Sequence, residues 1–358
     1  MKLSVEKLKT AWRQVAGVCP SRSPREIYQY VRLAIGDGVF SLHATDGEVY
    51  VSVGDCSEPA FSRLLPVKSF AKLLDACTAD EIGFAENVIK CGDDVWELSA
   101  PDADDWPFKG IDNTGRDYRV DCDQMHAAGN VALLSVDAES TRYALGGVLL
   151  DFISVDTLAL VSTDGRRLSI TEVDCECDGE PDNDVLPVVP LKTMKTLLGL
   201  CGTVGEMSFA FGSTGGIVFK TENAVIHSPL VQGRFPDWRK VLPTAKGSSF
   251  EFSAGTLAAV LKSASITTSE ESRGLDINFS DDGITATSEA ADVGRSRVNR
   301  PSLFDSKAEM RINPEYLLPV LNKVGEDCEL TLQFIDSESP LTFSHDGGFR
   351  YVLMPLAS

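Results

Sequence analysis

Between Val5 and Val18 the apolar positions Val5, Leu8, Trp12 and Val15 recur at spacings of three, four and three, with Lys7 and Arg13 off the stripe. That period predicts an amphipathic helix. Strand-like runs follow at Tyr28–Ile35, Val39–Ala44 and the alternating Val49–Val53, with Thr45-Asp46-Gly47 before the last. A second helix is predicted in PVKSFAKLLDAC, where Pro66 sits at a helix start that has no use for its missing N–H. Strands at Glu81–Phe84, Val88–Cys91 and Val95–Ser99 and a loop holding Asp102, Asp104, Asp105 and Pro107 complete the set.

The same order returns twice. A helix near Cys122–Leu134 leads into Glu139–Thr171, where Val148, Leu149, Phe152, Leu158, Leu160 and Ile170 mark a strand, a turn and a second strand. Thr163-Asp164-Gly165 supplies the turn, since Gly accepts positive φ and Asp bonds its own backbone. The helix PLKTMKTLLGLC and strands Met207–Phe211, Gly216–Thr221 and Val225–Ser228 follow. The third round holds a helix at Gly255–Ser265, strands Leu275–Phe279 and Ile284–Ser288, and the helix NPEYLLPVLNKV. It ends in strands Glu329–Phe334, Leu341–Ser344 and Phe349–Met354. The register is arithmetic: Pro66, Pro190 and Pro314 lie 124 residues apart, as do Phe70, Met194 and Leu318, and Leu73, Leu197 and Leu321. So long a period means duplicated domains rather than a solenoid. The expected domains are 1–120, 121–243 and 244–358, each with two helices packed on antiparallel sheets, an α+β layer architecture.

Length and composition fit several globular domains: 358 residues, 43% of them hydrophobic. The start lacks an apolar signal core and no run reaches a membrane-spanning length, which predicts a cytoplasmic protein. Nine scattered cysteines suit reduced thiols. No GxxxxGK[ST], GxGxxG, HExxH or GxSxG occurs. The four histidines are isolated, and Cys175-Glu-Cys177 lacks a second pair, so no metal or other cofactor is expected. The net charge of −20 opposes non-specific DNA affinity, which comes from Lys and Arg neutralising phosphates. Even so, the helices place Lys68 and Lys72, Lys192 and Lys195, Lys262 and Lys323 on their polar sides.

Four separated motifs carry a resemblance across the whole chain: MKLSVEKLKTAWRQVAG, RYALGG with VSTDGRRLS, VQGRFPDWRKVLP at 231–243, and YVLMPL at 351–356. With these the chain resembles the bacterial sliding clamp, the β subunit of DNA polymerase III. The resemblance implies a head-to-tail homodimer, a six-domain ring of two chains, encircling duplex DNA without reading its sequence. Retention is then topological and compatible with an acidic rim. It implies DNA-facing roles for Lys7, Arg13, Arg22, Lys68, Lys72, Tyr143, Lys192, Lys195, Lys262 and Lys323, and a dimer contact at Ile266. It also implies a pocket for the clamp-binding peptides of the polymerase catalytic subunit, the clamp loader and repair proteins. That pocket comprises Arg142, Leu145, Thr163, Gly165, Arg166, Leu168, Pro236, Val241, Asn313, Tyr316, Met354, Pro355 and Leu356. Apolar walls, an adaptable Met and polar rims suit a short peptide. Such a protein tethers a polymerase and catalyses nothing itself. Two other readings stay open: an acidic three-domain peptide-binding scaffold that never encircles DNA, and a metal-dependent hydrolase using the clustered acids.

Overall fold

The structure, a computed structural model, describes residues 1–86, 88–107, 115–140, 144–177, 186–202, 204–212, 215–269 and 273–357. Six helices of ten or eleven residues stand where the periodicity places them: α1 (Val5–Val15), α2 (Val67–Ala76), α3 (Cys122–Ala132), α4 (Leu191–Leu200), α5 (Ala254–Ala264) and α6 (Pro314–Val324). Side chains close three of their amino ends. The oxygens of Ser4, Ser253 and Asn313 accept from the backbone N–H of Lys7, Thr256 and Glu315, satisfying donors that have no intrahelical partner.

The 124-residue register survives with one slip. Phe70, Leu73, Met194, Leu197 and Leu321 are all buried, but Leu318 is only half-buried and Leu317 takes the core position. The cause is that α6 begins at Pro314 itself, whereas α2 and α4 begin one residue after their prolines. The stretch 139–171 also differs from expectation. It enters three strands, Gly147–Phe152, Thr157–Thr163 and Arg167–Asp174, because an extra turn intervenes in which the Ile153 N–H bonds the Thr157 carbonyl. The strand Gly294–Arg300 escaped prediction because its sequence, GRSRVNR, carries almost no apolar signal.

Among the described residues four antiparallel sheets result, and their strand orders show how the repeats are joined. A nine-stranded sheet runs from first-repeat strands into middle-repeat strands through the pairing of Tyr50–Gly54 with Ala224–Pro229. An eight-stranded sheet runs from middle-repeat into third-repeat strands through Arg167–Asp174 and Phe349–Leu353, in register from Arg167 opposite Leu353 to Thr171 opposite Phe349. Two four-stranded sheets remain, one near each end of the chain. The described residues accordingly form two compact units: Met1–Asp123, Glu176–Gly179 and Lys195–Leu230 in one, Gln124–Cys175, Glu180–Met194 and Val231–Ser358 in the other. The middle repeat is shared between them.

The two Thr-Asp-Gly turns have one geometry. Asp46 Oδ1 accepts from the N–H groups of Glu48 and Val49, as Asp164 Oδ1 does from those of Arg166 and Arg167. The preceding threonine hydroxyls donate to Val49 O and Arg167 O. Gly47 (φ +99°) and Gly165 (φ +81°) take the left-handed conformation that a side chain would oppose.

The first join holds a ring cluster. His227 lies opposite Tyr50 in the ladder, with ring centroids 5.5 Å apart, and the Tyr50 hydroxyl is 2.5 Å from His43 Nδ1. Burial, reinforced by Arg32 for His43 and Lys220 for His227, pushes both histidines down to about 4. Unfolded, each titrates near 6.5, so between these values the unfolded chain binds more protons. The stabilisation from both neutral rings is therefore complete above about pH 6.5 and is lost as the pH falls towards 4. At pH 5 the first unit should be about 2 kcal/mol less stable per histidine than at pH 7. Urea midpoints at the two pH values check this, and replacing both residues by Gln should flatten the difference.

Candidate partner site and nucleic-acid interface

The second unit gathers most of the residues expected of the partner pocket. Leu145 and Leu168 lie buried in one apolar cluster with Phe235, Trp238 and Val352. The loop carrying half-buried Pro236 and Val241, the latter 44% exposed, is fixed from beneath. Trp238 Nε1 donates to Asp151 Oδ2 at 2.8 Å, and Arg239 Nη1 donates to the same oxygen at 2.7 Å while its guanidinium lies over the indole. Asp151 is buried, so this charge-assisted pair exceeds a surface ion pair in value.

The opposite side is built on the Thr163-Asp164-Gly165 turn. Arg166 Nη1 donates to the Tyr316 hydroxyl at 2.7 Å, and the carbonyl of Arg166 accepts from Met354 N–H at 2.9 Å. Arg167 binds Asp164 Oδ2 through Nε and the Tyr316 carbonyl through Nη1, and its guanidinium lies 4.7 Å from the centroid of the Tyr316 ring. The Tyr351 hydroxyl donates to that same carbonyl at 2.7 Å. Burial raises the Tyr351 phenol well above its ordinary value, which keeps it a donor. Asn313 is buried as the cap of α6, so it orients Tyr316 rather than presenting its own amide. The Leu356 N–H bonds Arg311 O, which holds the half-buried Pro355 and Leu356 close to the sheet and leaves Met354 40% exposed. Arg142 and Tyr143 lie outside the described residues.

Sequence reading placed Asp164 in its turn but assigned no site role to it or to Asp151, Arg167, Trp238 and Tyr351, which hold this arrangement rather than line it. Asp164 and Arg167 had a signal, the Asx-type turn with its basic pair. Asp151, placed in a strand of otherwise apolar residues, had none.

The basic residues expected to meet DNA are placed on helices. Lys7 and Arg13 on α1, Lys68 and Lys72 on α2, Lys192 and Lys195 on α4, Lys262 on α5 and Lys323 on α6 are all exposed, opposite each helix's buried stripe. Lys68 Nζ donates to Ser21 O, which brings the exposed Arg22 segment alongside α2. Lys323 Nζ donates to Asn130 on α3. The six helices together bear nine basic side chains and four acidic ones, in a chain whose net charge is −20. The clustered acids are structural in part: Asp102 accepts from Asp104 N–H to cap a single turn. Among the described residues no three His, Cys, Asp or Glu side chains converge as metal ligands, and no helix is long and apolar enough to cross a membrane.

Duplicated helix pairs packed on antiparallel sheets shared between repeats, with basic exposed helix faces, are the features of a clamp-type fold. Residues 120–237 match the DNA polymerase III beta subunit, central domain, and residues 239–357 the DNA polymerase III beta subunit, C-terminal domain. The chain is 24% identical over 362 residues to the beta sliding clamp of Chlamydia muridarum, covering 99% of this chain and 98% of that one. It is similar to the DNA polymerase III subunit beta of Pseudomonas aeruginosa, with TM-score 0.89 and 23% identity over 100% of both chains. A sliding clamp from Bartonella birtlesii, solved bound to griselimycin, matches with TM-score 0.90 and 19% identity over 100% of this chain and 99% of that one. The chain belongs to the DNA polymerase III beta-subunit family, the sliding clamps.

Arg167 and Arg166 should separate structure from surface. Arg167→Ala, which removes the partner of the half-buried Asp164 carboxylate and the clasp on Tyr316, should cost about 1–3 kcal/mol in urea unfolding. Arg166→Ala, which removes an exposed contact, should leave the urea midpoint nearly unchanged.

Proposed function

We propose that two copies of this chain, each with domains 1–120, 121–243 and 244–358, close head to tail into a ring around duplex DNA. The ring slides without reading sequence and tethers the replicative polymerase to its template. The observation that carries this reading is the reversal of charge sign: a strongly acidic chain keeps its basic excess on its helices. Lys7, Arg13, Arg22, Lys68, Lys72, Lys192, Lys195, Lys262 and Lys323 then face the phosphates, with salt-screened contacts and no base readout. An acidic scaffold that never met DNA would have no reason for this segregation. The chain performs no chemistry of its own and works where the chromosome is, in the cytoplasm.

The cleft between the Trp238 loop, the Thr163–Gly165 turn and the carboxyl-terminal segment takes a short apolar peptide from the polymerase or clamp loader. Leu145, Leu168 and Val241 offer apolar contact, Met354 repacks around different side chains, and Arg166 orients the peptide backbone. The griselimycin-bound relative supports a ligand-accepting surface in this family.

Loaded by a clamp loader onto nicked circular DNA, the protein should survive a high-salt wash and be released when the circle is linearised. Loss in the wash alone would refute topological binding, because salt competes only with phosphate contacts. Removal of residues 354–358 should abolish binding of a polymerase-derived peptide, followed by fluorescence anisotropy, while the sedimentation coefficient stays that of the full chain.

A further inference from the structure

The ladder between Arg167–Asp174 and Phe349–Leu353 has a second end, away from the one that carries Arg166 and Met354. Its last pair is Thr171 with Phe349. There one strand enters from the turn at residues 346–348, while its partner runs on through Glu172, Val173 and Asp174. The Glu172 N–H still reaches the Gly348 carbonyl. The Asp174 N–H is met by a side chain instead: it donates to Gln124 Oε1 at 2.8 Å, and Gln124 Nε2 donates back to Asp174 Oδ2 at 3.0 Å. An amide from the first turn of α3 thus stands where the carbonyl of a further strand would.

Beside this overhang lies a cavity of about 580 Å³, between α3, the end of α6 and the turn. That volume is of the size that ligand sites occupy. Ala128, Val131, Val173 and Phe349 are its buried apolar lining, and half-buried Val324 closes it from α6. The turn side is fixed in place. His345 Nδ1 accepts from the Gly347 N–H at 2.9 Å, and the imidazole stacks on Phe349 with centroids 5.2 Å apart. A side chain at Gly348 (φ +73°) would run into Glu172. On the helix side of the rim, Lys323 is tethered to Asn130. The strand side is acidic, with Asp174 exposed and Glu172 half-buried. The Glu172 carboxylate makes no ion pair or hydrogen bond among the described residues. Burial holds His345 below its ordinary value, so the acids set the charge on this side.

Exposed apolar side chains adjoin the cavity. Thr157, part of its lining, follows the turn that carries Ile153, 39% exposed, and Val155, 63% exposed. The corresponding turns of the first and third repeats are tipped by Asp37-Gly38 and Asp281-Asp282, so the hairpin itself does not require an apolar tip. Strand alternation then decides what fits. The Thr171 hydroxyl donates to Ala128 O on α3, so Thr171 and Val173 face the helices and Glu172 and Asp174 the other side. A segment laid along the overhang turns every second side chain to the acids and the one between them into the cavity.

We propose that this cavity docks an extended peptide of a partner protein with the pattern basic–aliphatic–basic. Its aliphatic side chain enters between α3 and α6, its basic ones pair with Glu172 and Asp174, and one of its carbonyls replaces Gln124 at the Asp174 N–H. The site does not depend on ring closure. It lies at the opposite end of the ladder from residues 354–356, so one chain can hold a peptide at each end.

Fluorescence anisotropy on the full chain tests this with the labelled peptide Thr-Arg-Leu-Arg-Thr. It should bind about ten times more tightly than Thr-Arg-Ser-Arg-Thr, which lacks the apolar anchor. Thr-Glu-Leu-Glu-Thr should not bind. The variant E172K/D174K should weaken binding about tenfold or more. Should that variant melt abnormally, E172Q/D174N replaces it and should weaken binding about threefold. Val324→Trp, which fills the cavity, should weaken binding about tenfold with the acids intact. Removal of residues 354–358 should leave binding unchanged. Equal affinity for the Leu and Ser peptides, or binding that neither the acid variants nor Val324→Trp reduce, is diffuse attraction to an acidic chain and overturns the proposal. Loss of binding on removing 354–358 assigns the peptide to the carboxyl-terminal cleft and also overturns it. So does the absence of binding up to about 1 mM protein.

Discussion

Main-chain hydrogen bonding between strands of neighbouring repeats is the interaction on which the rest of this structure depends. A repeat with two helices and half-sheets cannot satisfy its edge N–H and C=O groups alone, and each unpaired group removed from water is costly. Pairing Tyr50–Gly54 with Ala224–Pro229, and Arg167–Asp174 with Phe349–Leu353, satisfies those groups and builds sheets of nine and eight strands. The middle repeat is consequently divided between two compact units, although the sequence marks it as one period.

The proposed partner site is a by-product of the second join. Leu168 and Val352 face one another in its ladder, the Thr163–Gly165 turn precedes it, and Met354 follows it. Arg167 and Tyr351, both in that ladder, reach the backbone of Tyr316 and tie α6 to the sheet. The loop containing Trp238 is tied to the same sheet through Asp151. The proposed site therefore leans on Asp151, Arg167 and Tyr351, which hold the Trp238 loop and α6 on the sheet.

Periodicity made the helices legible, because each buries a stripe of large apolar residues every three or four positions, and the 124-residue offset placed α2, α4 and α6 to within a residue. Turn chemistry made Asp46 and Asp164 legible. Edge strands were the weak point. Gly294–Arg300 has one half-buried face and a charged outer one, so its pattern carries no hydrophobic alternation to find. The pocket residues came from family resemblance rather than spacing, and periodicity could not have found them, since the ladder that gathers Leu168, Tyr351 and Val352 links positions more than 180 residues apart. The same distance hides Asp151, whose partners Trp238 and Arg239 lie 87 and 88 residues downstream.

The position of Phe349–Leu353 has a consequence for biosynthesis. This strand lies inside the eight-stranded sheet, flanked by Arg167–Asp174 and Leu341–His345, yet it is made long after the strand it pairs with at Arg167–Asp174. The strands Gly147–Phe152, Thr157–Thr163 and Arg167–Asp174 are synthesised long before the strand that seals their edge. Until Phe349–Leu353 has been synthesised, the nascent second unit presents Arg167–Asp174 as an unpaired, largely apolar edge, the kind of surface that pairs wrongly with other chains. The first unit is complete once Leu230 has been synthesised and can fold during translation. The second cannot close its sheet until Leu353 has also been made, so it matures after the first.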